Sequence, residues 1–120
     1  MRQRRMQLAY SSVAGMLLVV ILALAACSAG QASLRDGVLR QGIGQKAFRA
    51  QWGDPDQIVL ILNGKMLVER WGQEVLLRAP AELWAYSRYG ADVLFDDSGD
   101  LIAWKTELTR EQLQAIPRRR

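Results

Sequence analysis

The sequence predicts an α+β domain in which two short N-terminal helices pack on a small antiparallel β-meander, a two-layer sandwich. Two observations lead there. Residues 82–107 alternate apolar and polar side chains between clusters of turn-forming residues, which is the period of half-buried antiparallel strands. Residues 45–52 instead place Ala47, Phe48, Gln51 and Trp52 on one face at helical spacing. Helices this short do not persist alone in water, so each must bury a face against the sheet.

The elements follow in order. Ser33-Leu34-Arg35-Asp36 fits a helix start with Ser33 as N-cap, and Leu34, Val38 and Leu39 line one face until Gly42 and Gly44 end it. The second helix covers Gln45 to Trp52, where Phe48 and Trp52 form an i, i+4 pair. Gly53 stops it, and Asp54-Pro55-Asp56 turns the chain. Gln57 to Leu62 is a β-rich apolar run. Asn63-Gly64 after it is a strong hairpin signal, so Lys65 to Arg70 is expected to return as a strand, with Trp71 to Ala81 a long loop.

Glu82 to Arg88 sets Trp84, Tyr86 and Arg88 on one side and Leu83 and Ala85 on the other. Tyr89-Gly90 reverses the chain into a strand at Asp92–Asp96, and Asp97-Ser98-Gly99-Asp100 forms a hairpin loop. Leu101 to Glu107 completes the meander, with Leu101, Ala103 and Lys105 opposite Ile102, Trp104 and Thr106. Thr109, with Gln112 three residues later, caps a last helical turn that runs to Ile116 and stops at Pro117.

Upstream of the domain the chain has a different composition. Arg2, Arg4 and Arg5 form a basic opening, Val13 to Ala26 contains no charged or strongly polar residue, and Cys27 follows. Basic, apolar and then small is the layout of a secretory signal, and the run is shorter than the ~18–20 apolar residues that span a bilayer core. With Ala9 to Ser12 added, a retained N-terminal anchor helix is the alternative reading.

Leu24-Ala25-Ala26-Cys27 resembles the lipobox of bacterial lipoproteins, which implies cleavage between Ala26 and Cys27 and acylation of the cysteine. A thiol is the nucleophile that can carry a diacylglyceryl thioether, and a multiply acylated cysteine supplies the two lipid signals that stable anchoring needs. The expected organisation is a signal peptide over 1–26, an acylated cysteine and tether over 27–32, one domain over 33–117 and a basic tail over 118–120. In a Gram-negative cell, Ser28 after the cysteine implies export to the outer membrane, periplasmic face; otherwise the anchor sits in the cell membrane.

Composition removes several functions. The chain has sixteen basic and twelve acidic residues, but without the first 26 residues it has thirteen against twelve. The positive charge therefore sits at the chain ends, and a nucleic-acid partner, which needs a basic face, is not expected. No histidine occurs and Cys27 is the only cysteine, which excludes Cys/His zinc sites, Ser-His-Asp triads, Cys-His dyads and an internal disulfide. Asp96, Asp97 and Asp100 lack the spacing of a calcium loop and read as turn residues. No metal, no cofactor and no catalytic residue is expected.

The stretch Gly42-Ile43, Ala47-Phe48, Gly53-Asp54-Pro55-Asp56, then Glu82-Leu83-Trp84-Ala85-Tyr86, Val93-Leu94-Phe95, Gly99 and Leu101-Ile102-Ala103 resembles the SmpA/OmlA (BamE-like) family of small outer-membrane lipoproteins. The resemblance spans residues 42–56 and 82–107, with the Asn63-Gly64 and Val75-Leu76-Leu77 segments as additions to the family pattern. It implies a non-enzymatic protein that binds envelope protein partners in outer-membrane assembly or envelope integrity. The alternative is a small periplasm-facing carrier or sensor of a lipid or peptide. Trp52, Trp84 and Trp104 are expected in the core. Trp71 in the expected loop and Tyr89 in the turn are the candidate partner contacts.

Overall fold

A computed structural model describes residues 29–116, in which helix α1 occupies residues 29–35. Ser33 lies inside this helix and does not cap its start. Its hydroxyl donates to the Val38 carbonyl at 2.7 Å, a bond that helps close the C-terminal turn. The helix ends at Gly37, whose φ of +75° suits a residue without a Cβ, and not at Gly42 as the sequence suggests. A side chain at Gly37 would also run into the carbonyl of Arg110.

Helix α2 (Gln45–Trp52) has the expected bounds and buries Ala47, Phe48 and Trp52. Gly53 closes it at φ +82°, its N–H donating to the Arg49 carbonyl. Strand β1 (Gln57–Ile61) follows. The Asn63-Gly64 hairpin is overturned: residues 66–71 form a helix, α3 (Met66–Trp71). The tight hairpin turn needs positive φ at both central residues, and neither Asn63 nor Gly64 has it. Instead Leu67 N–H donates to the Gly64 carbonyl and Val68 N–H to Lys65, which winds the chain into a helix. That spacing puts Leu67 and Trp71, four apart, into the core together.

Strand β1 therefore waits for β2 (Ala81–Tyr86), pairing antiparallel with Ile58 opposite Trp84 and Leu60 opposite Glu82. Then β3 (Ala91–Phe95) and β4 (Leu101–Thr106) complete one antiparallel sheet in the order β1-β2-β3-β4. The domain is α+β, as expected. Helix α4 (Arg110–Gln114) closes it with the expected capping box between Thr109 and Gln112. Arg110 and Gln114 both donate to the Asp36 carbonyl, which ties α4 to the end of α1.

The sheet separates two apolar clusters. On one side Leu34, Phe48 and Trp52 from the helices meet Trp84, Tyr86, Val93, Phe95 and Leu101. On the other, Leu67 and Trp71 of α3 meet Ile61, Leu83 and Leu94, with Val75 and Leu77 of the loop at the margin. Helix α3 and the loop thus add a thin layer on the face that a two-layer sandwich leaves open. The expected alternation in β4 breaks at a bulge: Phe95 pairs with Leu101 and Leu94 with Ala103, leaving Ile102 as the extra residue. Leu101 and Trp104 consequently pack on the same side.

Candidate interaction surface

The residues singled out for lipidation and cleavage, Cys27 with Leu24, Ala25 and Ala26, lie outside the described residues. The two candidate partner contacts are corrected. Trp71 is 5 % exposed and Tyr89 6 %. Trp71 closes α3 instead of sitting in a loop, and its indole N–H donates to Asp92 at 2.9 Å. Arg70 holds the same carboxylate with two bonds of 2.6 and 2.9 Å, so Asp92 on β3 anchors the end of α3 from both sides. The shared hydrogen bonds raise the Arg70 pKa above its ordinary value, partly offset by burial.

Tyr89 belongs to a second fastening point. Its hydroxyl donates to the Trp52 carbonyl, and its ring stacks on Tyr86 at 6.0 Å. The Arg88 guanidinium lies 4.8 Å from the Tyr89 ring centroid and 5.6 Å from that of Tyr86. It also donates to Asp56 at 2.6 Å and to the carbonyl of Asp54. Asp56 is held below its ordinary value of 3.8, first by the Arg88 backbone N–H and then by the guanidinium. Arg88 thereby ties the β2–β3 turn to the turn after α2. Burial pushes the Tyr86 hydroxyl pKa well above its ordinary value, so Tyr86 stays a neutral donor to the Gly53 carbonyl. These groups have structural partners, and none is aimed at open solvent as an acid, base or nucleophile.

The aspartates around Gly99 also act locally. One Asp96 oxygen accepts the backbone N–H groups of Ser98 and Asp100, which is turn chemistry. Among the described residues no three acidic side chains converge where a metal could sit, and no helix is long and apolar enough to cross a membrane.

The surface that stands out is β1. Helix α2 packs over the inner strands, with Phe48 against Phe95 at 5.2 Å and Trp52 against Tyr86 at 5.2 Å. It leaves the same face of β1 uncovered. Ile58 is 50 % exposed, and Leu60 and Leu62 are 59 % exposed each. Met66, also exposed, extends this stripe, its sulfur accepting the Leu62 N–H at 3.2 Å. Beside the stripe lies a polar border. Glu82 accepts from the Trp84 indole and from Gln45, and Arg49 lies 4.9 Å from the Trp84 ring centroid.

No strand of the described residues pairs with the outer side of β1. An apolar stripe with a polar border and an unpaired strand edge is the chemistry of a protein-binding surface. The sequence conceals it, because the continuous run Ile58-Val59-Leu60-Ile61-Leu62 reads like a strand buried on both faces.

A cleft of about 550 Å³ lies under the loop, lined by Val75, Leu77, Arg78, Asp96 and Ile102 among others. No protein-family model, no curated protein and no solved structure matches this chain.

Proposed function

We propose that this chain is a lipid-anchored cell-envelope protein, non-enzymatic, that binds protein partners in outer-membrane assembly or envelope integrity. Its lipid would be carried on Cys27, and its preferred location is the periplasmic face of the outer membrane. Cys27 is the chain's only thiol and follows Leu24-Ala25-Ala26 after a charge-free apolar run. The observation that carries the partner-binding part is the exposed, unpaired apolar edge of β1. The carrier reading would draw on the cleft between Leu77, Ile102 and Arg78, which joins apolar walls to one cation and to the carboxylates of Asp96 and Asp97. The edge is the better support, because it offers both backbone pairing and apolar contact to a polypeptide.

Intact-mass measurement on the membrane fraction tests the anchor. The expected species begins at Cys27 and carries acyl mass. Membrane protein with residues 1–26 retained, or with an unmodified Cys27, would refute it. Affinity capture from detergent-extracted envelope separates the binding readings: protein at fixed stoichiometry supports the edge, and bound lipid without protein supports the carrier.

A further inference from the structure

We infer that the polypeptide seated on β1 is the β1 strand of a second copy, paired antiparallel about a two-fold axis at Leu60. This inference rests on the proposed reading of β1 as a protein-binding edge, and it names the occupant. Three observations carry it.

The first is self-complementarity. An antiparallel pair centred on Leu60 sets Leu60 against its own equivalent, Val59 against Ile61, and Ile58 against Leu62, the residue just past the end of the strand. Each of these side chains then meets another apolar one. Moving the axis to Val59 would set Gln57 against Ile61 and Leu62 against Asp56, which pairs polar with apolar residues. The pairing with β2 runs without a shift from Gln57 to Ile61, so the outer edge is straight enough to accept a strand.

Charge is the second. Residues 57–64 carry none, so nothing in the strand repels its copy. Just beyond the ends, the same register brings exposed Lys65 of each copy toward the Asp54-Pro55-Asp56 turn of the other. The Asp54 side chain is 87 % exposed and touches Arg49 only at 3.8 Å, which leaves its carboxylate accessible to that lysine.

The third is area. Ile58, Leu60, Leu62 and Met66 together expose on the order of 400 Å² of side-chain surface per copy, the size of the functional patches that single domains carry. Edge pairing covers the flanks of these side chains and the free backbone groups of both strands, joining main-chain hydrogen bonds to apolar contact. The result is one eight-stranded sheet with a continuous apolar stripe across the axis.

The test uses the full chain, extracted as the membrane-bound form in detergent and carrying Leu60→Cys. Residue 60 lies on the axis, so mild oxidation is expected to give a disulfide-linked dimer of twice the mass. The parent protein treated alike is expected to stay unlinked. Ile58→Cys alone is the register control. Its two copies would lie about 13 Å apart along the strands, too far for a disulfide, so no dimer is expected. Ile58→Cys mixed with Leu62→Cys is expected to link. Leu60→Lys, which sets two ammonium groups face to face, is expected to lose the association while keeping the tryptophan emission of the folded chain.

Linking at Leu60→Cys but not at Ile58→Cys, with loss of association in Leu60→Lys, supports the inference. If Leu60→Cys instead links only to a different envelope protein, the second copy is ruled out and the partner-binding reading stands. If it links to nothing, both fall.

Discussion

Strands β4 and β1 both end the sheet, yet the chain treats them differently. On β4, Leu101 exchanges backbone hydrogen bonds with residues 42–43, and Gln41 donates to the Ile102 carbonyl. A bulge at Ile102 bends the strand, and Lys105 lies exposed near its far end. Pairing, a bulge and a lysine are three ways of keeping an edge from recruiting another strand. β1 has none of them among the described residues: no further pairing, no bulge and no charge, and Ile58 and Leu60, with Leu62 just past its end, are at least half exposed. A chain that guards one edge and leaves the other bare presents two edges of different chemistry.

The largest expected effect comes from the core that lies under α2, between the two edges. Trp52 is fully buried among Phe48, Tyr86 and Tyr89, so Trp52→Ala is expected to cost about 3–5 kcal/mol, read as a lower urea midpoint. Its indole N–H has no hydrogen-bond partner, so Trp52→Phe should cost well under half as much. Equal losses would show that the N–H matters.

Next in size is Asp92→Ala, which leaves the buried Trp71 N–H unpaired and frees Arg70. A loss of about 2 kcal/mol is expected, with faster hydrogen exchange over residues 66–71 and unchanged exchange in α2. If exchange rose equally in both helices, α3 would not be separately anchored through Asp92.

A smaller effect depends on pH. The folded pKa of Asp56 lies below its ordinary 3.8, so its pairing with Arg88 adds stability that is complete above that value. That stability is lost as pH falls through the depressed value. Asp56→Asn is expected to narrow the stability difference between neutral pH and the acid range. Acid titration followed by tryptophan emission checks this, and an unchanged profile would remove Asp56 from the account.

Least of all, Leu60→Lys is expected to change the unfolding stability of the dissociated single chain by no more than about 0.5 kcal/mol, because Leu60 is 59 % exposed. Its effect should appear in association. A large drop in stability would mean that β1 is covered within its own chain.

The sequence makes one half of this picture legible. Helix α2, the β2–β3–β4 meander and the Thr109 cap are local features, written in spacing, alternation and turn residues that act within a few positions. The other half depends on partners far along the chain. Asn63-Gly64 promises a hairpin, but β1 finds β2 some twenty residues on, and Leu67 with Trp71 gains more by burial as a helix face. Gly37 ends α1 early where the sequence shows no apolar break. Trp71 looks like a loop tryptophan until Asp92, distant in sequence, takes its N–H. Exposure of Ile58, Leu60 and Leu62 is legible least of all, because it depends on where α2 happens to stop.

Site-directed photo-crosslinking in intact cells tests the contrast between the edges most directly, with the photoreactive residue at position 60 on β1 or at position 105 on β4. The account predicts a discrete protein adduct from position 60 and none from position 105. An adduct from position 105 alone, or equal labelling at both, would contradict it.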